Sequence, residues 1–380
     1  MLRFLFPLVS LAIAALSIAV ELSQRQADSP VCLHGGCRYD QIFATAATPA
    51  TTAALLNEAP ADPGIWCTYG EFFSSRGEID KAQAAFDRAL ILGPGVSPVL
   101  MRIANFDFTH NRTEEGLRLA EQILRQTEEF DGIVFSYLGI SGKPVSQLLG
   151  TAVPPAPRPA RSWLGWVRSR GTDQDILDTW AWMRRNGFAD EKSAVDTTNT
   201  LWQRKSYRAA QELWTDWLGP RRGDYPHPQL LANTHFQEAP NGTPFDWNFS
   251  SNASVELLRH DGLEVRFLGR ENLSSPGVQQ VALVEPGHYR FAAQISADNL
   301  TTDQGVAFQI VDAENPGRLT VETKPVLGNM SQSLTTLDFT VPGGTKAIQV
   351  SLVRQASLKF DNKIAGTLHI YQVSLLRSGG

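Results

Sequence analysis

Residues 66–94 read WCTYGEFFSSRGEIDKAQAAFDRALILGP, and this stretch decides the first half of the fold. Over Ile79–Leu92 the apolar residues Ala82, Ala85, Phe86, Ala89 and Leu90 fall on one side of a helix. The segment before it carries Trp66, Tyr69, Gly70 and Phe73 at helical steps. Small residues at Gly70 and Ala82 let two helices approach closely, and the large Trp66, Phe73 and Phe86 fill the space beside them. Pro94 is expected to stop the second helix because proline lacks the N–H that would continue it.

The same pattern returns once, at a step of 34 residues, with Leu100, Ile103, Ala104, Gly116, Ala120 and Ile123 in matching places. Asp107 stands where the aromatic is due, and Glu128 where the proline is due. A third unit starts near Asp131 and is interrupted by the proline-rich run 153–159. Beyond it, Gln174–Asn186 and Ser206–Leu218 again have amphipathic spacing, the latter with Tyr207, Ala210, Leu213, Trp214 and Trp217 on one side. The spacing of Trp66, Tyr69, Gly70 and Phe73, followed by Ala82, Phe86, Ala89 and Pro94, resembles the tetratricopeptide repeat. That resemblance implies an α-solenoid over residues 64–218, with one well-kept repeat and several degraded ones, making contact with a partner protein.

Besides Trp66, seven tryptophans lie in this region: Trp163, Trp166, Trp180, Trp182, Trp202, Trp214 and Trp217. Solenoid repeats bury their faces only against neighbours, so inter-helix packing accounts for most of them. An aromatic groove would need exposed rings. Trp180 and Trp182 are two apart on a helix, so one of the two is expected to face outward.

Residues 229–377 have a different texture. Short runs alternate apolar and polar residues between Gly, Pro and Asn: Leu263–Phe267, Tyr289–Ile295, Val306–Val311, Ala347–Val353 and Leu368–Leu375. Period-two runs at this density predict an antiparallel β-sandwich, with the switch from helices near residue 225 and a Pro/Gly/Arg hinge over 219–228.

The order Leu231-Ala-Asn233-Thr-His-Phe236, Pro244-Phe245-Asp246-Trp247, Pro286-Gly287-His-Tyr289-Arg-Phe291 and the closing run 368–375 resembles carbohydrate-binding modules of the galactose-binding-like jelly-roll fold. The resemblance implies a jelly roll that contacts a glycan or a second protein. It points to Trp247, Asp246, Tyr289, Asn299, Asp361 and Asn362 as ligand contacts, since sugars are held by ring faces flanked by amides and carboxylates. Each also has a packing explanation: Trp247 closing one end of the sandwich, Tyr289 alternating with Phe291 in the core, Asp361-Asn362 forming a turn. Many members of that family hold a structural calcium through a Glu after the opening Phe and an Asp in the last strand. Here Gln237 and Tyr371-Gln372 stand at those places, so no metal is expected.

At the N-terminus, Phe4–Val20 follows Arg3 without a charge and stops at Glu21. Residues 1–20 therefore read as a signal peptide, cleaved after Ala19, or as an anchor in the inner membrane. Both readings export the remainder to the bacterial cell envelope, facing the periplasm if anchored and secreted if cleaved. Residues 21–63 read as a linker rich in Ala, Thr and Pro. In an exported chain, Cys32 and Cys37 are expected to close a small disulfide loop across Gly35 and Gly36. A metal site that adds His34 and Cys67 is the alternative, although no second cysteine pair at zinc spacing exists.

With 380 residues, 42% hydrophobic and 19% charged, the chain is long enough for two or three folded domains. A formal charge of −5 and the lack of a Lys/Arg cluster argue against a nucleic-acid partner. The seven histidines show no HExxH spacing, and no G-x-S-x-G elbow or phosphate loop occurs, so neither a catalytic constellation nor a cofactor is expected. The sequence therefore reads as a non-catalytic envelope adaptor, in a surface-polysaccharide setting that rests on the family resemblance. Two alternatives stay open. A glycan-processing enzyme would bring acids together in a deep cleft within the helical half, and a purely structural scaffold would show neither such a cleft nor an exposed aromatic face.

Overall fold

The computed structural model describes residues 56–57, 59–250, 253–360 and 362–378. The chain forms two compact units. One reaches Lys143 and takes in Gly150–Pro154; the other is built from Pro144–Leu149 and everything from Pro155 onward. The apolar run 1–20 and the Cys32/Cys37 pair lie outside the described residues, among which no helix is long and apolar enough to cross a membrane.

The first unit is made of paired helices: α1 (Pro63–Ser75) with α2 (Ile79–Leu92), α3 (Ser97–Thr109) with α4 (Thr113–Gln126), then α5 (Asp131–Ile140). Asp62 starts α1 by accepting hydrogen bonds from the N–H groups of Gly64 (2.7 Å) and Ile65 (3.4 Å), and Pro63 takes the first helical position. The close approach expected at Gly70 is present: a Cβ there would lie 2.8 Å from the Phe86 ring. Ala82, Ala85, Phe86 and Ala89 are buried, and so are Leu100, Ile103, Ala104, Ala120 and Ile123 of the next pair. Phe86 carries the core onward to Phe106 of α3, ring centres 4.7 Å apart. Arg102 straps α3 to α1 with two 2.6 Å bonds to Glu71. Cys67 is buried and free, and burial pushes its thiol up to about 12, so it is an inert core residue at neutral pH.

The degraded repeat position also has a physical account. Asp107, where an aromatic was due, is 2% exposed, and its carboxylate accepts from Arg112 Nε at 2.9 Å. Burial raises its pKa to about 6 against the pull of that guanidinium.

In the second unit, α6 (Val145–Leu148), α7 (Pro157–Arg170), α8 (Asp173–Arg185), α9 (Glu191–Gln203) and α10 (Tyr207–Leu218) precede the strands. The proline-rich run does not exclude a helix, because Pro157 and Pro159 sit in the first turn of α7, where no intrahelical donor is required. Thr172 and Asp175 close a capping box at the start of α8. The expectation that Trp180 or Trp182 faces outward fails: they are 4% and 7% exposed. Trp180 meets Trp217 of α10 edge-on at 6.0 Å. Trp182 is covered by Phe188, which the chain folds back after α8.

Among the described residues ten strands form the sandwich, the first sheet in the order β1-β4-β9-β6-β7 and the second β2-β3-β10-β5-β8, antiparallel throughout. The strands are β1 (Asn248–Phe249), β2 (Val255–Arg259), β3 (Leu263–Leu268), β4 (Val278–Leu283), β5 (Gly287–Leu300), β6 (Val306–Asp312), β7 (Thr320–Glu322), β8 (Gly328–Val341), β9 (Ala347–Arg354) and β10 (Ala365–Arg377). All five runs read from the sequence are strands. The alternation seats Val265, Phe291, Ile295, Phe308, Val350 and Leu368 in one core between the sheets. Helices of this unit touch the sandwich directly. Trp202 of α9 meets Phe245 edge-on at 5.6 Å, and Asn199 donates to the carbonyl of Gly242 at 3.1 Å.

Candidate binding face of the second sheet

The six residues nominated from the sequence do not meet on one surface. Trp247 is 0% exposed, its ring 4.9 Å from Phe236 and its indole N–H donated to the Asn233 carbonyl. Tyr289 is buried over Phe339, and its hydroxyl donates to the Glu285 carbonyl at 2.7 Å. Asp246 is buried too, accepting from Asn241 Nδ2 (2.5 Å), the Trp247 N–H (2.7 Å) and Asn233 Nδ2 (3.4 Å). These three side chains are spent on packing and internal hydrogen bonds, because the apolar end of the sandwich needs them there. Asn299 is exposed with φ of 52°, its N–H bonded to Asn329 Oδ1. Asn362 is half-buried and gives its carbonyl to Arg354. Asp361 lies outside the described residues.

Asp246 nevertheless has a measurable signature. Burial pushes its pKa up to about 6, opposed by the N–H donors around it. A carboxyl raised in the folded state favours folding while protonated. Its contribution is therefore present below the unfolded value near 4 and is lost as pH rises to about 6. Stability of this unit should fall by up to about 3 kcal/mol across that window on account of Asp246. Denaturant unfolding at pH 4, 5, 6 and 7 should show the slope in the parent and a flatter profile in Asp246→Asn. An identical slope in both would rule this assignment out.

A different set of residues does converge, on the open face of the β2-β3-β10-β5-β8 sheet. Along β10, inward Leu368 and Ile370 alternate with outward His369 and Tyr371. A β-bulge between Ile370 and Gln372 leaves Tyr371 as the extra residue. The His369 and Tyr371 rings lie within 21° of parallel, centres 6.3 Å apart. His369 stands directly opposite Glu264 on β3 and Ser296 on β5. Its Nδ1 is 3.9 Å from a Glu264 carboxylate oxygen, and its Nε2 is 3.5 Å from Asp298. Arg266 braces Glu264 at 2.7 Å and reaches Glu256 at 3.3 Å, while the Tyr371 and Ser296 hydroxyls are 3.0 Å apart.

Two nearly parallel rings, two carboxylates and a guanidinium thus share one solvent-facing patch, half-buried at His369 and Tyr371 and open at Asp298 and Arg266. Such a surface can present flat apolar ring faces and charged hydrogen-bonding groups at once. The alternation in residues 368–371 was a signal for the two rings; their carboxylate neighbours come from strands remote in sequence. Among the described residues no group of three or more His, Cys, Asp or Glu stands together as a metal site.

No family model matches this chain, and no curated protein matches it by sequence. Solved structures match parts of it. The tetratricopeptide protein YrrB, described as having an unusual peptide-binding site, is 17% identical over 44% of this chain and 92% of its own, with a TM-score of 0.25. Pseudomonas aeruginosa pilF is 16% identical over 49% of this chain and 89% of its own, TM-score 0.27. TmCBM61, solved with β-1,4-galactotriose, is 15% identical over 40% of this chain and 99% of its own, TM-score 0.27.

Proposed function

We propose that this chain is a non-catalytic binding protein whose tetratricopeptide-like helices contact a protein partner and whose second sheet engages a glycan. The observation that carries the reading is the His369–Tyr371 ring pair flanked by Glu264 and Asp298 on an open face. Pyranose rings have apolar C–H faces that rest on flat side chains, and hydroxyl edges that donate to carboxylates. Both needs are met within this patch. The groups lie on a surface rather than in a closed cleft, which suits recognition better than chemistry that requires water to be excluded. An envelope setting follows if residues 1–20 act as a leader or anchor, and a jelly-roll glycan module at the cell surface would fit polysaccharide assembly or export.

Screening the protein against soluble polysaccharides by affinity electrophoresis tests the reading. Retention by at least one glycan is expected, weakened about tenfold in Tyr371→Ala and in His369→Ala, because ring contacts contribute on the order of 1 kcal/mol each beyond area. Trp247→Phe, a core change, should leave the ratio of retentions unaltered. If no glycan retards the protein, or if the two ring variants bind as the parent does, the glycan reading is wrong.

A further inference from the structure

A second feature of the same unit is independent of the glycan reading. A cleft of about 1090 Å³ runs between the start of α10 and the edge of the sandwich. It is larger than the roughly 300–1,000 Å³ of ordinary small-molecule sites. Its apolar lining comes from Pro228, Leu230, Leu283 and Pro286. Around it stand Lys205, Arg208, Lys346 and Arg377 against only Glu212 and Glu285, a balance of four cations to two anions in a chain whose net charge is −5.

The ion pairs sharpen the imbalance. Glu285 is shared by Arg208 (3.8 Å) and Arg377 (3.4 Å), so one anion serves two guanidinium groups. Lys205 and Lys346 are exposed and make no ion pair among the described residues. They are held by different segments, Lys205 in the turn between α9 and α10 and Lys346 in the turn between β8 and β9. A field of this sign selects an anionic occupant.

The lining discriminates between anionic polymers. Its open apolar surface is mainly aliphatic and proline: of the three rings that line it, Tyr289 is buried, Tyr207 is half-buried against Trp202 with its hydroxyl tied to Glu314 at 2.7 Å, and His227 is exposed. The aliphatic and proline floor matches apolar side chains, which an extended peptide directs to one side while its alternate residues point to the other. We propose that this cleft docks an extended peptide segment of a partner protein in which acidic and aliphatic residues alternate. The aliphatic side chains rest on Leu283 and the prolines, and the carboxylates meet Lys205 and Lys346.

Fluorescence anisotropy with a labelled eight-residue Glu/Val alternating peptide tests the proposal on the whole chain. Saturable binding is expected that weakens as salt rises, with no binding of the Lys/Val counterpart. The double variant Lys205→Glu/Lys346→Glu, both exposed positions, should weaken binding at least tenfold with an unchanged circular dichroism spectrum. Tyr371→Ala should leave it unaltered, which separates this cleft from the glycan face. Three results would overturn the proposal: absent binding, equal affinity for a Glu/Ser peptide that lacks aliphatic side chains, or oligogalacturonate displacing the peptide through the same two lysines.

Discussion

Replacing Arg354 by Met is expected to destabilise the sandwich by about 3–5 kcal/mol, the range seen when a buried, fully bonded charge network is broken. Arg354 ends β9 and is 3% exposed, yet no carboxylate pairs with it at salt-bridge distance among the described residues. Its guanidinium is held by oxygens alone. Nε donates to the Gln304 carbonyl (2.9 Å), one Nη to Leu273 O (2.7 Å) and Asn272 Oδ1 (3.0 Å), the other to Thr302 Oγ1 and Asn362 O (both 3.0 Å). Three loops, those after β3, β5 and β9, are tied by this one side chain. Burial lowers its pKa from the ordinary arginine value, the Asp303 charge resisting. Methionine fills much of the volume but takes a donor from five acceptors; Asn272 Oδ1 keeps the Ser357 N–H and Gln304 O and Thr302 Oγ1 keep bonds to each other's residue, while the Leu273 and Asn362 carbonyls must find water. Lysine has three donors from a single point and should recover only part of the loss. Urea unfolding of parent, Arg354→Met and Arg354→Lys measures this. A loss under about 1 kcal/mol for methionine would mean that solvent replaces the guanidinium and the loops are not tied by it.

The second large effect is expected at Gly262, in the tight connection between β2 and β3. Its φ is 119°, a region essentially reserved for glycine, and a Cβ there would fall 2.3 Å from the Ile370 carbonyl oxygen and 2.9 Å from Tyr371 Cα. Both obstacles are backbone, and both belong to the bulge that turns Tyr371 outward. Gly262→Ala must push β10 away or reopen the hairpin, at a cost of about 2–4 kcal/mol. It should also weaken glycan retention as much as Tyr371→Ala does. Gly187 is the internal control: its φ is 70° with nothing within 4 Å of the added Cβ, so Gly187→Ala should cost only about 1 kcal/mol and spare retention. Equal losses at the two glycines would show that backbone conformation, not the approach to β10, is what matters at Gly262.

The glycine and the bulge also explain why the candidate face was only half legible. Alternation from Leu368 to Tyr371 marks two outward rings, and it is local. That His369 faces Glu264 and Ser296 depends on the registers of β3 and β5 against β10, and on the extra residue at 371. Neither can be read along the strand. At Trp247 and Tyr289 the sequence left packing and ligand contact both open for a related reason: a ring beside a turn looks alike whether it closes a core or meets a ligand, and only its neighbours decide. The expectation that Trp180 or Trp182 faces outward failed because Phe188, returning after α8, covers a face that an isolated helix would expose.

Helical pairing in residues 63–126 and the strands β3, β5, β6, β9 and β10 were determined by the sequence alone. Periodicity is a local property: a 3.6-residue stripe with a glycine against a phenylalanine, or a two-residue alternation between turns, admits one regular structure that buries its apolar side. The grouping of α7–α10 with the sandwich in one unit was decided by tertiary structure, as were the carboxylates beside His369 and the cations around the cleft. Those arrangements join residues from distant parts of the chain, and the free energy that selects them comes from long-range packing and register, which no short window of sequence contains.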